Sequence, residues 1–117
     1  MAHILLADDD VEQLSVHRKL LEALGHKVGT SGSPGETLRE LEMRRPDLIV
    51  VDLHFPLVED CLSVIRGIRE TGCQLPLIVL SGWPDDLYGT PEERLVSRVV
   101  IKGSIHELLR TIAELVG

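Results

Sequence analysis

Asp8, Asp9 and Asp10 stand directly after the apolar run Ile4-Leu5-Leu6-Ala7. Asp52 follows Leu48-Ile49-Val50-Val51, Ser81 follows Leu77-Ile78-Val79-Leu80, and Lys102 follows Val99-Val100-Ile101. Each polar residue closes a short aliphatic run. If the runs are strands of one open parallel sheet, their ends meet at the edge where such sheets bind ligands. Carboxylates crowded there repel one another, which costs stability unless a cation sits among them. Mg²⁺ suits such a place, because it binds one or two carboxylates together with waters and phosphate oxygens. A carboxylate so placed can act as a nucleophile and become an acyl phosphate. The phosphoryl oxygens then need positive charge and hydrogen-bond donors. Mg²⁺, the Lys102 ammonium and the Ser81 hydroxyl would supply these, and Gly82, lacking a side chain, leaves room for the group to enter.

Taken singly, each of these residues has an ordinary use. An aspartate after a strand commonly serves as a turn residue or helix cap, and Asp10 with Gln13 three positions on has the form of a capping box. Ser81-Gly82 and Lys102-Gly103 are unremarkable strand ends. The weight lies in the joint arrangement.

The elements that must position these residues are legible as an alternation. Ile4–Ala7, Val28–Thr30, Leu48–Val51, Leu77–Leu80 and Val99–Ile101 read as strands. Between them lie amphipathic stretches. The first turns Leu14, Leu20, Leu21 and Leu24 inward and stops at Gly25. The second is capped by Ser33, has Pro34 at its first position, and buries Leu38 and Leu41. The third carries Leu62, Ile65 and Ile68 and closes at Gly72, and the last carries Leu108, Leu109, Ile112 and Leu115. Strands alternating with helices imply an α/β fold with a parallel sheet, doubly wound, with helices on both faces. Strands apolar at successive positions agree, since both faces are covered. Between Gly82 and Glu92 the pattern fails, so a fourth helix is expected to be short, covering Glu92–Val96, or irregular.

A chain of 117 residues is long enough for one domain with its own core, 1–117. Phe55, Trp83 and Tyr88 are the only aromatics, so that core is aliphatic. The net charge of −7 argues against nucleic acid or an anionic membrane as a direct partner. No apolar run approaches the ~20 residues that span a bilayer, and the start has no basic signal-like region; a cytoplasmic protein is expected. Cys61 and Cys73 flank a helix and would lie on the order of 15 Å apart, beyond disulfide reach. The histidines form no compact ligand pair, which argues against zinc.

In four segments, Ile4 to Asp10, Pro46 to Pro56, Leu77 to Gly82 and Val99 to Gly103, the chain resembles the receiver domains of two-component response regulators. The resemblance implies a flavodoxin-like strand order 2-1-3-4-5. It implies Asp52 as phosphoacceptor, with Asp9 binding Mg²⁺ directly and Asp8 mostly through water. Asp52 and the backbone carbonyl of His54 would complete the protein ligands. Ser81 matches the hydroxyl switch residue, Lys102 the family's lysine, and Pro56 the proline four positions after the acceptor. The donor implied is a histidine kinase or a histidine phosphotransfer protein, with a downstream protein or a fused output domain as target. Such a domain is a signalling module, not an enzyme, although it promotes its own phosphorylation and dephosphorylation.

The chain departs from that pattern at three places. Val99 stands where the family has a reporting aromatic, Cys61 where a glycine opens the third helix, and the fourth helix is weak. His54 and Trp83, two positions after Asp52 and Ser81, flank the site, where they would either gate water and set the lifetime of the phosphoryl group or merely cover the loop. The departures support an alternative, a degenerate receiver that binds protein regardless of phosphorylation. A flavin-binding domain of similar architecture is disfavoured, because Asp8-Asp9-Asp10 is acidic where a flavin phosphate needs glycine and hydroxyl groups. Whether 1–117 stands alone or belongs to a longer protein is open at this level.

Overall fold

The computed structural model describes residues 2–116. The five aliphatic runs form β1 (His3–Ala7), β2 (Lys27–Ser31), β3 (Leu48–Asp52), β4 (Leu77–Ser81) and β5 (Arg98–Ile101), all parallel, in the order β2-β1-β3-β4-β5. This is the expected order. Four α-helices alternate with them: α1 (Val11–Ala23), α2 (Pro34–Arg44), α3 (Val58–Glu70) and α4 (Ile105–Val116).

Side chains alternate across each strand, and the sheet accordingly separates two cores. On one face Leu5, Ala7, Ile49, Val51, Leu77 and Val79 pack with Val64, Ile65 and Ile68 of α3 and Leu41 of α2. On the other, Ile4, Leu6, Leu48, Val50, Ile78 and Leu80 pack with Leu21 of α1 and Leu108 and Ile112 of α4. β1, β3 and β4 are covered on both sides, which is why they carry no alternation of polarity.

Local chemistry sets the helix ends. The Asp10 carboxylate accepts from the amides of Glu12 and Gln13 and starts α1. Ser33 Oγ accepts from Glu36 N, with Pro34 behind it, and starts α2. Gly25 and Gly72 take φ of +93° and +84° just beyond α1 and α3, a conformation that favours glycine.

Three expectations need correction. Leu20 and Leu24 of α1 are exposed; only the Leu21 and Leu14 side of that helix reaches the core. On α2 the fully buried residue is Thr37, whose hydroxyl satisfies itself on Ser31 Oγ and the Ser33 carbonyl, while Leu38 lies at the rim against Gly67. Cys61 does not open the third helix. α3 begins at Val58, where Asp60 Oδ2 accepts from Leu57 N, and Cys61 is buried one turn in.

Between β4 and β5 there is no α-helix. Two 3₁₀ turns, Pro84–Asp86 and Pro91–Leu95, take its place. Two prolines and Gly89 at φ +85° break the segment into short pieces.

Candidate functional site

The strand ends converge as the sequence implies. Asp8 extends β1, Asp52 ends β3, Ser81 ends β4, and Lys102 follows β5, its amide donating to the Ser81 carbonyl at 2.8 Å. Lys102 Nζ donates to Asp52 Oδ2 at 2.5 Å, and His54 N donates to Asp52 Oδ1 at 2.9 Å. Asp52 is only 4% exposed and Asp8 5%. Asp8 Oδ1 accepts from Asp10 N at 2.9 Å. Burial pushes the Asp8 carboxyl up to about 7; the Asp10 amide pulls against the rise and the neighbouring Asp52 charge adds to it. Burial works to lower the pKa of Lys102, but the hydrogen bond and charge of Asp52 outweigh it and raise the ammonium above its ordinary value.

The three adjacent aspartates therefore do different work. Asp8 lies beside Asp52, Asp9 is exposed, and Asp10 caps α1. Among the described residues no three carboxylate, imidazole or thiol side chains gather into a metal cage. The fit to Mg²⁺ rests instead on the Asp8–Asp52 pair: two buried carboxylates that, when both are ionised, carry one more negative charge than the Lys102 ammonium offsets. A hard dication that needs few protein oxygens suits that pair.

Ser81 is buried, and its Oγ accepts from Trp83 N at 2.9 Å, which leaves the hydroxyl proton free to donate elsewhere. A Cβ at Gly82 would meet nothing within 4 Å, so the space beside it is open. Trp83 is 62% exposed, and the half-exposed His54 ring places Nε2 3.4 Å from Asp86 Oδ2. Asp86 was not legible as a partner, because it sits in the stretch whose structure the periodicity does not define. His17 of α1 faces the same region; burial and the Lys102 charge lower its pKa. Its signal in sequence is only a histidine on a helix.

A doubly wound α/β domain with an acidic strand-end site and a lysine on the buried carboxylate is the class that the geometry defines. The family model described as the response regulator receiver domain matches residues 4–92, and the chain belongs to that family, the receiver domains of two-component systems. The transcriptional regulatory protein AfsQ1 of Streptomyces coelicolor is 39% identical over 84 residues, which is 72% of this chain and 36% of that protein. The transcriptional regulatory protein PrrA of Mycobacterium tuberculosis is 35% identical over 78 residues, 67% of this chain and 33% of that protein. The chain thus spans about a third of the length of these regulators. The response regulator TrrA of Thermotoga maritima, solved in complex with Mg²⁺ and BeF, superposes with a TM-score of 0.89 at 21% identity, covering 99% of this chain and 100% of that one. At that identity the likeness speaks for the fold. Among the described residues no helix is long and apolar enough to cross a membrane.

Proposed function

We propose that residues 1–117 act as one cytoplasmic receiver domain that accepts a phosphoryl group on Asp52 from a phosphohistidine protein, with Mg²⁺ beside it. The observation that carries this is the Lys102–Asp52 contact at 2.5 Å, next to a buried Asp8 that resists ionisation. Asp8, Asp9, Asp52 and the His54 carbonyl would hold the ion. When bound, it neutralises charge on the phosphoryl oxygens.

The remaining work falls to this chain. An Asp52 carboxylate oxygen forms the O–P bond as the P–N bond to the donor imidazole breaks, and the imidazole leaves with the bonding pair. The Lys102 ammonium, a mobile point charge, follows the negative charge from the carboxylate to the phosphoryl group. Ser81 donates its free hydroxyl proton to a phosphoryl oxygen, keeping Trp83 N on its own oxygen. His54, tied to Asp86, and Trp83 screen the acyl phosphate from water. The family's regulators and the Mg²⁺ and BeF bound by TrrA support the reading.

Incubation with Mg²⁺ and a small phosphodonor such as phosphoramidate should add one phosphoryl group by intact mass. The adduct should be labile to base and missing in Asp52→Asn. No adduct, or an undiminished one in the variant, overturns the proposal.

A further inference from the structure

The segment between β4 and β5, residues 82–97, is irregular yet firmly held. Leu87 is fully buried in the α3-side core, and Leu95 and Val96 pack against it. Arg66 of α3 pairs with Glu92 at 2.8 Å, and Glu92 is buried. The Arg69 guanidinium donates to the carbonyls of Leu95, Cys73 and Leu75 at 2.8–3.1 Å. Glu93 Oε1 accepts from Gly89 N, and Asp86 meets His54. Two arginines from α3 thus clasp a strap that has no helix of its own.

What this strap turns outward is unusual for the chain. Of only three aromatic residues, Phe55 is buried, while Trp83 and Tyr88 are 62% and 50% exposed, and both lie on the strap. Five positions separate them along the strap. Around them Asp85, Asp86 and Glu93 are exposed, against one exposed cation of the strap, Arg94. The fourth acid, Glu92, is already neutralised by Arg66. An aromatic pair within an acidic field attracts cations twice over, by charge and through the ring faces. Because the clasp already orders the backbone, a partner would not have to supply that ordering.

We infer that the clasped strap 83–93 is a docking surface for a basic, arginine-containing segment of another protein, with Trp83 and Tyr88 as its anchors. Charge complementarity selects this occupant: the surface repels nucleic acid and anionic lipid, and a purely apolar partner would leave three carboxylates beside its interface. The inference concerns the unmodified chain and does not depend on phosphorylation of Asp52.

Trp83 is the sole tryptophan, so its fluorescence reports on the strap directly. The test titrates the protein with three short peptides of one length, alternating leucine and serine with arginine, glutamine or glutamate. The arginine peptide should change Trp83 emission saturably, and more weakly as salt is raised. Tyr88→Ser should weaken binding about tenfold, as truncating an interface anchor does. Asp85→Asn with Glu93→Gln should weaken it too; the new amide can still accept from Gly89. Glu22→Gln with Glu42→Gln removes the same charge from α1 and α2 and should leave binding unchanged, with thermal melts confirming that every variant is folded. No saturable change, equal binding of the glutamine peptide, or an equal loss in the Glu22/Glu42 variant overturns the inference.

Discussion

At the residue scale, the site is defined by what touches Asp52. Lys102 Nζ sits on one carboxylate oxygen and the His54 amide on the other, so the proposed acceptor is both neutralised and oriented before any donor arrives. Lys102→Gln keeps a hydrogen-bond donor but removes the charge that must follow the phosphoryl group. Phosphorylation by phosphoramidate should slow by about 10²-fold, the usual cost of losing one electrostatic stabiliser, and quench-flow or timed mass spectrometry would measure it. An unchanged rate would mean that the ammonium only holds the resting carboxylate. His54 and Trp83 make a separate claim. His54 is about half exposed and Trp83 more so, so their removal should spare the fold. His54→Ala and Trp83→Ala should each hasten hydrolysis of the acyl phosphate several-fold, followed by loss of phosphoprotein after donor removal. Lifetimes equal to the wild type would reject the gating role.

At the scale of elements, α3 carries more than its apolar face. Arg69 satisfies three carbonyls that no strand or helix pairs, joining the end of α3, the approach to β4 and the second 3₁₀ turn. Arg69→Gln should lower the unfolding free energy by about 1–2 kcal/mol, because partly buried acceptors lose a charged donor. Arg18→Gln breaks only an exposed pair with Glu22 and should cost under about 0.5 kcal/mol. Urea midpoints at constant m would compare the two. These staples also mark where the sequence stopped being legible. Strands apolar at every position, capping Asp10 and Ser33, and the glycines after α1 and α3 announce themselves locally, and the fold follows from them. The same strand ends delivered Asp8, Asp52, Ser81 and Lys102. Leu20 and Leu24 misled because a helix covering a sheet with another helix beside it buries a narrow stripe, and leucine outside that stripe looks the same in sequence. Thr37 was missed because its burial depends on Ser31, six residues earlier on another element. The Arg66–Glu92 and His54–Asp86 pairs span 26 and 32 positions with no periodic signal to join them.

At the scale of the whole molecule, Asp8 and Asp52 meet only when β1 and β3 are paired, so the ionisation of the site is part of global stability. The Asp8 carboxyl stands at about 7 in the folded chain against an ordinary 3.8. Between those values the folded state holds a proton that the unfolded state has released. Stability from this group therefore falls as pH rises from about 4 to about 7, and is level above. Asp8→Asn removes the group, and carboxylates other than its partner Asp52 titrate alike in both proteins, so the difference between the two melting temperatures isolates the buried pair. Without metal, the variant should gain on the wild type steadily through that window and then hold its lead. On the proposed reading Mg²⁺ binds the ionised pair and should oppose this trend. At about a hundred times its dissociation constant it should stabilise the wild type by about 2.7 kcal/mol, on the order of 10 °C for a domain of this size. The gain should be largest near pH 8, shrink toward pH 5 as protons compete for Asp8, and be much smaller in Asp8→Asn. Calorimetry at several pH values, with and without Mg²⁺, measures all of this. A wild-type response to Mg²⁺ that is flat with pH, or is retained in full by Asp8→Asn, would separate the metal from the buried pair and place it on the exposed Asp9 side of the site.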